Sequence, residues 1–467
     1  MKQKLGLVFL HYIRLLAKLQ LAKLNLFRKV LGKKGIKIVG ITGSAGKTST
    51  MLAVVAALEP SFRVKYSKKA NSESGIPLNI LGLRMKDFSL RDWFRVAGLS
   101  LVKLLTNWGV YDVYVVEMGI DEPEAPKNME YLLRIVRPDV GVFISVTPVH
   151  AMQFEKALPE SAPEVGKKTS EVLGLIADEK AKLISALPEN GYAVLNFDDP
   201  LVKERKKLTL AEVIGVGRDV DSRIRLTDYQ VNLKGTEFKY QADGRKIKLR
   251  TKGFVLPLAY GINFGLALGV VQALDGDLND AVQGISENLV LPSGRSSLIE
   301  GIKDTFIIDS SYNASPAAME TMLDLLARLG KKTKSKKIAV LGDMRELGGQ
   351  SKVEHERLAE KAVDAAGEIV TVGPLMKKYF QPKLATISDV RRIKLTSFDS
   401  AGEAAEYLKE NITGKELILV KGSQNTIFLE IVVEALMADP SRTDDLLCRR
   451  GDYWDEQRKN FTQTGQS

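Results

Sequence analysis

From residue 36 onward the chain alternates short apolar runs with longer amphipathic stretches. The runs at 36–42, 112–118, 139–146 and 192–196 are rich in Ile and Val and have the length of buried parallel strands. Between them, apolar positions recur at helical spacing over 48–58, 127–136 and 171–187. This alternation predicts an α/β fold, a mostly parallel sheet with helices on both faces. Over 223–256 the period shortens to polar–apolar alternation, with turns at Gly235 and Asp243-Gly244, which predicts a small antiparallel addition. A helix follows at about 262–274. A second alternating series has strands at 305–309, 337–341, 368–372 and 417–420, with helices near 316–329, 352–365, 400–410 and 424–437. It predicts a smaller, Rossmann-like α/β domain at the C-terminal end. The Pro292-Ser293-Gly294 turn divides the two, giving domains at 36–291 and 292–439, and the charged, Pro440-containing segment 440–467 is expected to be a mobile tail.

Residues 1–35 follow another pattern. Residues 5–31 are rich in Leu, Val, Ile and Phe, yet Arg14, Lys18, Lys23, Arg28 and Lys29 interrupt them. No run reaches the roughly 18 apolar residues that a spanning helix needs, and no small-residue cleavage site is present. At 100° per residue, Lys4, His11, Arg14, Lys18, Asn25, Lys29 and Lys33 fall on one face of a basic amphipathic helix. Such a helix lies on an anionic membrane surface or packs on its own domain, and the pattern leaves both open.

Composition narrows the partners. The net charge is +11, but residues 1–58 hold eleven Lys or Arg and no Asp or Glu, so the rest balances at 57 basic and 57 acidic. The basic character is local and does not indicate a nucleic-acid-binding surface. A single cysteine, Cys448, excludes an internal disulfide and any cysteine-based zinc site, in keeping with a reducing cytoplasm.

The stretch Lys37–Thr50 holds the clearest chemistry. An apolar strand breaks into Thr42-Gly43-Ser44-Ala45-Gly46-Lys47-Thr48-Ser49 and then a helix, the context of a phosphate-binding loop. Gly43 and Gly46 let backbone N–H groups of Ser44, Ala45 and their neighbours face an anion at a helix N-terminus. Lys47 reaches the terminal phosphates of ATP, and Thr48 offers a hydroxyl to Mg²⁺. The loop is tighter than the general pattern, since Ile41 stands where the first glycine belongs. Downstream, Glu117 ends a predicted strand beside Gly119, as an Mg²⁺ ligand or a plain cap. His150 follows the next strand. Arg295, Asp309, Tyr312, Asn313 and Lys421 all lie at predicted strand ends of the second domain. Arg295 and Lys421 suit phosphates across a cleft, or are surface turns if read singly.

Together these residues resemble the Mur ligases, ATP-dependent amide ligases of peptidoglycan precursor synthesis, and among them the branch that adds D-alanyl-D-alanine. The likeness runs through Thr42–Thr48, Asn71–Pro77, Val116–Gly119, Pro138–His150, Leu187–Asp199, Pro292–Arg295, Asp309–Asn313, Gly342–Gly348 and Val420–Ser423, in the family's order. It implies transfer of the γ-phosphate of ATP to a substrate carboxylate, followed by attack of an amine such as D-Ala-D-Ala. It also implies two Mg²⁺ sites, one on Thr48 and Glu117, the other on His150 and a lysine carbamylated by CO₂. Counting back from Leu187 puts that lysine at Lys180, with Lys182 as the neighbouring register. By the same resemblance Asn263 lies on the nucleobase side, and Asp309, Tyr312 and Asn313 contact the nucleotide. Arg295 meets the phosphates on domain closure, while Asn71, Lys421 and Ser423 lie on the substrate side. A cytoplasmic monomer is expected.

Departures accompany the likeness. Ile262 and Leu266 flank Asn263 where the family has histidine and a second asparagine; Ser310 replaces an aspartate and Ser145 an asparagine. Residues 155–170 lengthen the connection before Lys180. The family's N-terminal UDP-gripping domain has no counterpart in the 35-residue basic helix. The acceptor therefore stays open among a UDP-linked peptidoglycan peptide, a membrane-bound precursor and a γ-glutamyl-type substrate, and a non-catalytic ATP-binding scaffold is the alternative from another class.

Overall fold

A computed structural model of the chain describes residues 2–68, 70–87, 89–148, 151–156, 165–391, 393–423 and 427–464. It divides into two compact units, Met1–Asp228 with Lys239–Leu249 and Ile262–Leu289, and Tyr229–Phe238 with Arg250–Gly261 and Val290–Ser467.

The first unit is built on strands β1 (Lys37–Thr42), β2 (Val64–Tyr66), β3 (Val113–Glu117), β4 (Val140–Phe143), β5 (Tyr192–Asn196) and β6 (Glu212–Gly217), in the order β2-β3-β1-β4-β5-β6 and all parallel. The sheet continues through β7 (Ile224–Asn232), β8 (Gly235–Ala242) and β9 (Arg245–Lys252). Their two-residue connections permit only antiparallel neighbours. β1 is central, and Ile38 to Thr42 are buried, because helices cover both faces. Its register sets Ile41 opposite both Glu117 and Val142, so Thr42 and Glu117 emerge at one carboxyl edge. That edge is where an open α/β sheet binds ligands. The strand β6 was not apparent from the sequence.

The helices of the first unit include α1 (Lys2–Val30), α2 (Lys47–Leu58), α3 (Gly75–Leu81) and α4 (Leu90–Thr106). α1 packs on its own unit. Ile13 and Leu16 join Leu78, Leu81, Leu83 and Val96 in a small core, while Ala17, Leu21 and Leu24 extend the main one. Part of the helix's basic charge is turned inward, at Arg28, which lies off the expected polar stripe, and at Arg14, which lies on it. Arg28 is buried, donating to Asp112 Oδ1 (2.9 Å) and the Tyr111 carbonyl (3.0 Å), and the Arg14 guanidinium lies 5.0 Å from the Tyr131 ring centroid. The hydrogen bonds from Arg63, with Arg28 beside it, hold the Asp112 carboxyl well below the usual range, so the end of α1 is pinned to the sheet margin. No described helix is long and apolar enough to cross a membrane.

The second unit holds β10 (Ser297–Glu300), β11 (Phe306–Asp309), β12 (Lys337–Gly342), β13 (Glu368–Val372), β14 (Lys394–Phe398) and β15 (Leu417–Lys421), ordered β10-β11-β15-β12-β13-β14. Only the β10–β11 pair is antiparallel. Apolar layers cover both faces, with Leu323, Leu326 and Leu341 on one side and Ile307, Val340 and Val433 on the other. Of the segment 440–467, expected to be a mobile tail, residues 443–449 pack into the second unit. Thr443–Leu446 and Asp452–Thr464 are helical, and Leu447, Cys448 and Arg449 are buried, because Arg449 is drawn inside by Glu430.

Candidate functional site

The first unit's site starts at the turn between β1 and α2. Gly46 takes φ 82° and Gly43 φ 155°, conformations in which a side chain is strained, and a Cβ on Gly43 would lie 2.9 Å from that of Ile144. Ser145 and Thr147, just past β4, brace the turn. Ser44 N donates to the Ser145 carbonyl (2.8 Å), Ala45 N to Ser145 Oγ (3.1 Å), and Thr147 N to Ser44 Oγ (3.0 Å). Ser145 thus braces the loop through both its carbonyl and its hydroxyl. Lys47 Nζ folds back onto the Gly43 carbonyl (2.8 Å). α2 begins with no acidic residue in its first turn and no side-chain cap, as an anion-binding helix terminus requires.

Across the turn, Thr48 Oγ1 donates to Glu117 Oε2 (3.0 Å) and Asn71 Nδ2 to Glu117 Oε1 (3.3 Å). Glu117 is buried, its backbone N–H held by Ser67 Oγ (2.8 Å). Gly119 N donates to the Asn71 carbonyl (2.9 Å), and a Cβ there would stand 3.2 Å from Asn71 Nδ2. The buried Asn263 amide comes within 3.4 Å of where a Gly46 Cβ would sit. Ser49 is buried in the first turn of α2. Lys180 is buried in the helix Val165–Ser185, whereas Lys182 turns outward to Glu179 Oε2 (2.6 Å). Burial, and then the charge of Lys47, draw the Lys180 pKa down to about 7, against the opposing pull of Asp121 and Glu179. Thr48 and Asn71 thereby meet Glu117 beside the turn, with Lys47 and Asn263 against it and Lys180 within reach of the Lys47 charge, while His150 lies outside the described residues.

The donor chemistry fits the implied groups. Mg²⁺ binds through one or two carboxylates, hydroxyls, water and substrate phosphates, so Glu117 and Thr48 suffice as its protein ligands. Among the described residues no cluster of three His, Cys, Asp or Glu side chains offers an all-protein metal cage. A lysine whose amine is substantially neutral near pH 7 is what reaction with CO₂ requires.

The depressed Lys180 pKa has a testable consequence. Below about pH 7 the folded chain carries a buried cation that the unfolded chain solvates freely. Above it the amine is neutral in the fold but still protonated when unfolded, so its cost falls as pH rises toward the ordinary lysine value. In CO₂-free buffer, Lys180→Met should therefore raise the urea midpoint at pH 6 and raise it much less at pH 10. An equal gain at both would show that Lys180 is not buried as a titrating amine.

The second unit gathers its own cluster at the carboxyl ends of β11 and β15. Lys421 Nζ donates to the Asn313 carbonyl (2.8 Å) and Ser310 Oγ (3.2 Å), with burial and the charge of Arg295 lowering its pKa to about 7. Ser310 is thus a neutral partner. The Arg295 guanidinium lies over the Tyr312 ring (4.8 Å), and its Nε is buried with no hydrogen-bond partner. Asp309 is fully buried; Oδ1 accepts from Ser311 N (3.0 Å), Oδ2 has no partner, and burial raises its pKa to about 6. Ser423 Oγ accepts from Arg345 N (3.0 Å). Sequence reasoning missed Arg449, which donates to the carbonyls of Ser311 (2.8 Å) and Tyr312 (2.9 Å).

Comparison with known proteins finds likeness to family models over two parts of the chain. A model described as "Mur ligase, glutamate ligase domain" matches residues 294–424, and one described as "Mur ligase middle domain" matches residues 172–255. The UDP-N-acetylmuramoyl-tripeptide–D-alanyl-D-alanine ligase of Bacillus subtilis (strain 168) is 25% identical over 420 residues, 89% of this chain and 79% of that one. The structure of MurF from Acinetobacter baumannii matches with a TM-score of 0.69 at 20% identity, over 91% of this chain and 81% of that one. MurF ligase from Thermotoga maritima in complex with ADP matches at 0.64 and 23%, over 93% and 84%. The two structural likenesses establish the α/β fold read from the apolar pattern.

Proposed function

We propose that this chain is a Mur-type ligase, an ATP-dependent amide ligase of peptidoglycan precursor synthesis. It joins D-alanyl-D-alanine to the terminal carboxylate of a UDP-N-acetylmuramoyl-tripeptide. The observation that carries this reading is the meeting of Thr48 and Asn71 on the buried Glu117 beside the Gly43–Lys47 turn, with the buried Lys180 within reach of the Lys47 charge. A turn that merely reversed the chain would have no use for a buried carboxylate and a buried lysine beside it.

The γ-phosphoryl group moves to a carboxylate oxygen of the peptide, releasing ADP. The amine of D-Ala-D-Ala then attacks the acyl carbon, phosphate departs with the C–O bond electrons, and the amine gives up a proton. Backbone N–H groups of the turn and the Lys47 ammonium neutralise charge on the migrating phosphoryl group. Glu117 and Thr48 would hold one Mg²⁺, and His150 with a carbamylated Lys180 would hold a second; each would supply charge neutralisation at the phosphates. Lys180 is the suited lysine, since addition of CO₂ with loss of two protons turns its buried cation into an anionic oxygen ligand. Asn263 serves the nucleotide's base. In the second unit Asp309, Tyr312 and Asn313 serve the nucleotide, Arg295 the phosphates, and Lys421 with Ser423 the substrate, as Asn71 does in the first. The enzyme works as a cytoplasmic monomer, with residues 1–35 available for peripheral membrane contact.

ADP release should require UDP-N-acetylmuramoyl-tripeptide and D-Ala-D-Ala together, each alone giving no more than the background. Full turnover with either one omitted would overturn the reading. So would ATP binding without turnover across a panel of carboxylate–amine pairs, the behaviour of a scaffold.

A further inference from the structure

α1 and α4 lie side by side on the first unit. Phe9 stacks on Trp93 (centroids 5.6 Å), the Tyr12 hydroxyl donates to the Ala97 carbonyl (2.9 Å), Lys23 Nζ to the Asn107 carbonyl (2.9 Å), and Phe27 meets Trp108 edge-on (5.2 Å). Contacts advance along both helices together, so the two run parallel. Both bury one face in the same core of Ile13, Leu16, Leu78, Leu81, Leu83 and Val96, and their opposite faces therefore share the outer side.

That outer side is apolar where a soluble surface would be polar. α1 presents Leu15, Leu19, Leu26 and Val30, and α4 presents Phe94, Leu101 and Leu105; Phe94 and Leu105 are 71% and 73% exposed. Of the 22 large hydrophobic side chains exposed among the described residues, 16 fall within 7–31 and 90–110. Such concentration marks an interaction surface rather than scattered surface leucines.

Charge identifies the partner. Residues 2–34 hold nine Lys or Arg and no acid, and residues 90–110 hold three and a single acid, Asp92. Asp92 is buried, paired with Arg95 at 2.5 Å, and accepts from Lys86 N (2.6 Å) and Asp87 N (3.2 Å). A second copy would bring the same cations against themselves, which opposes self-association. Exposed apolar rows bordered by Lys18, Lys29, Lys33 and Arg91, with Trp108 half-exposed among them, suit the headgroup boundary of a bilayer. We propose that the outer face of α1 and α4 docks on an anionic phospholipid bilayer, the apolar rows entering the headgroup boundary and the basic side chains meeting lipid phosphates. This extends the contact assigned to residues 1–35 to a surface of two helices, and it stands independently of the ligase chemistry.

Flotation of the full chain with phosphatidylglycerol-containing vesicles and with pure phosphatidylcholine vesicles, each at low and high salt, tests it. The chain should float with the anionic vesicles at low salt and be released by high salt. Phe94→Glu with Leu105→Glu, and separately Lys18→Glu with Lys29→Glu, should each cut the bound fraction at least about tenfold while the thermal midpoint and ATP binding stay unchanged. The altered side chains are all exposed, so folding is not at stake. Failure to float with anionic vesicles, equal flotation with neutral ones, or wild-type binding by both variants would each overturn the proposal. Self-association by sedimentation without vesicle binding would also overturn it and assign the face to a protein partner.

Discussion

Lys47→Ala is expected to slow ADP release in the two-substrate assay by about 10²–10³-fold, the usual cost of removing one preorganised donor from a developing charge. The ammonium group sits 2.8 Å from the Gly43 carbonyl, already at the turn, so it needs only a side-chain rotation to meet a terminal phosphate. Lys47 also shares the site with Lys180, whose pKa its charge depresses. Removing Lys47 should therefore raise the Lys180 pKa and shift the pH at which CO₂ reacts. Most of the loss belongs in the rate rather than in ATP affinity, because backbone N–H groups of the turn still bind the nucleotide. Turnover within about threefold of wild type would remove Lys47 from the reaction and the proposed mechanism with it.

How far such expectations could be read from sequence depended on whether the deciding partner lay nearby in the chain. The β1–turn–α2 unit was legible because periodicity, two glycines and Lys47-Thr48 occupy fourteen consecutive residues. Glu117 was legible as the last residue of an apolar strand, but its bond to Thr48 spans 69 positions and required the parallel β1–β3 register. Lys180 and Lys182 were indistinguishable by count; the fold separates them, since Lys180 is buried and Lys182 exposed. α4 was missed although Ser89 caps it through Asp92 N (3.1 Å) and its apolar positions share one side; that side, with Phe94, Leu101 and Leu105, faces outward instead of into the core. β6 and β14 were missed as short runs, and β14 is mostly half-exposed at the sheet edge. The C-terminal segment was misread because clustered charges normally mean solvent, and the one acid that overturns this, Glu430, lies 19 residues away.

That misreading leads to the largest expected effect on stability. The Arg449 guanidinium and the Glu430 carboxylate are 2% and 0% exposed and joined through Nε–Oε1 (2.8 Å) and an Nη2–Oε2 contact. The remaining donors of Arg449 serve the Ser311 and Tyr312 carbonyls, so one side chain ties the C-terminal segment to the loop that carries Tyr312. Arg449→Ala strands a buried carboxylate and two carbonyls at once, a loss of about 3–5 kcal/mol. For a unit of this size that lowers the thermal midpoint by about 6–20 °C. Arg458 Nη1, 3.6 Å from Glu430 Oε1, offsets part of the stranded charge and places the result toward the smaller figure. Arg449→Met combined with Glu430→Leu should recover most of the loss, because a well-packed apolar pair often matches a buried ion pair. If calorimetry found the alanine variant melting within about 1 °C of wild type, this pair would not be holding the segment. If the double variant melted lower than the single, the lost carbonyl contacts rather than the unpaired carboxylate would dominate the cost.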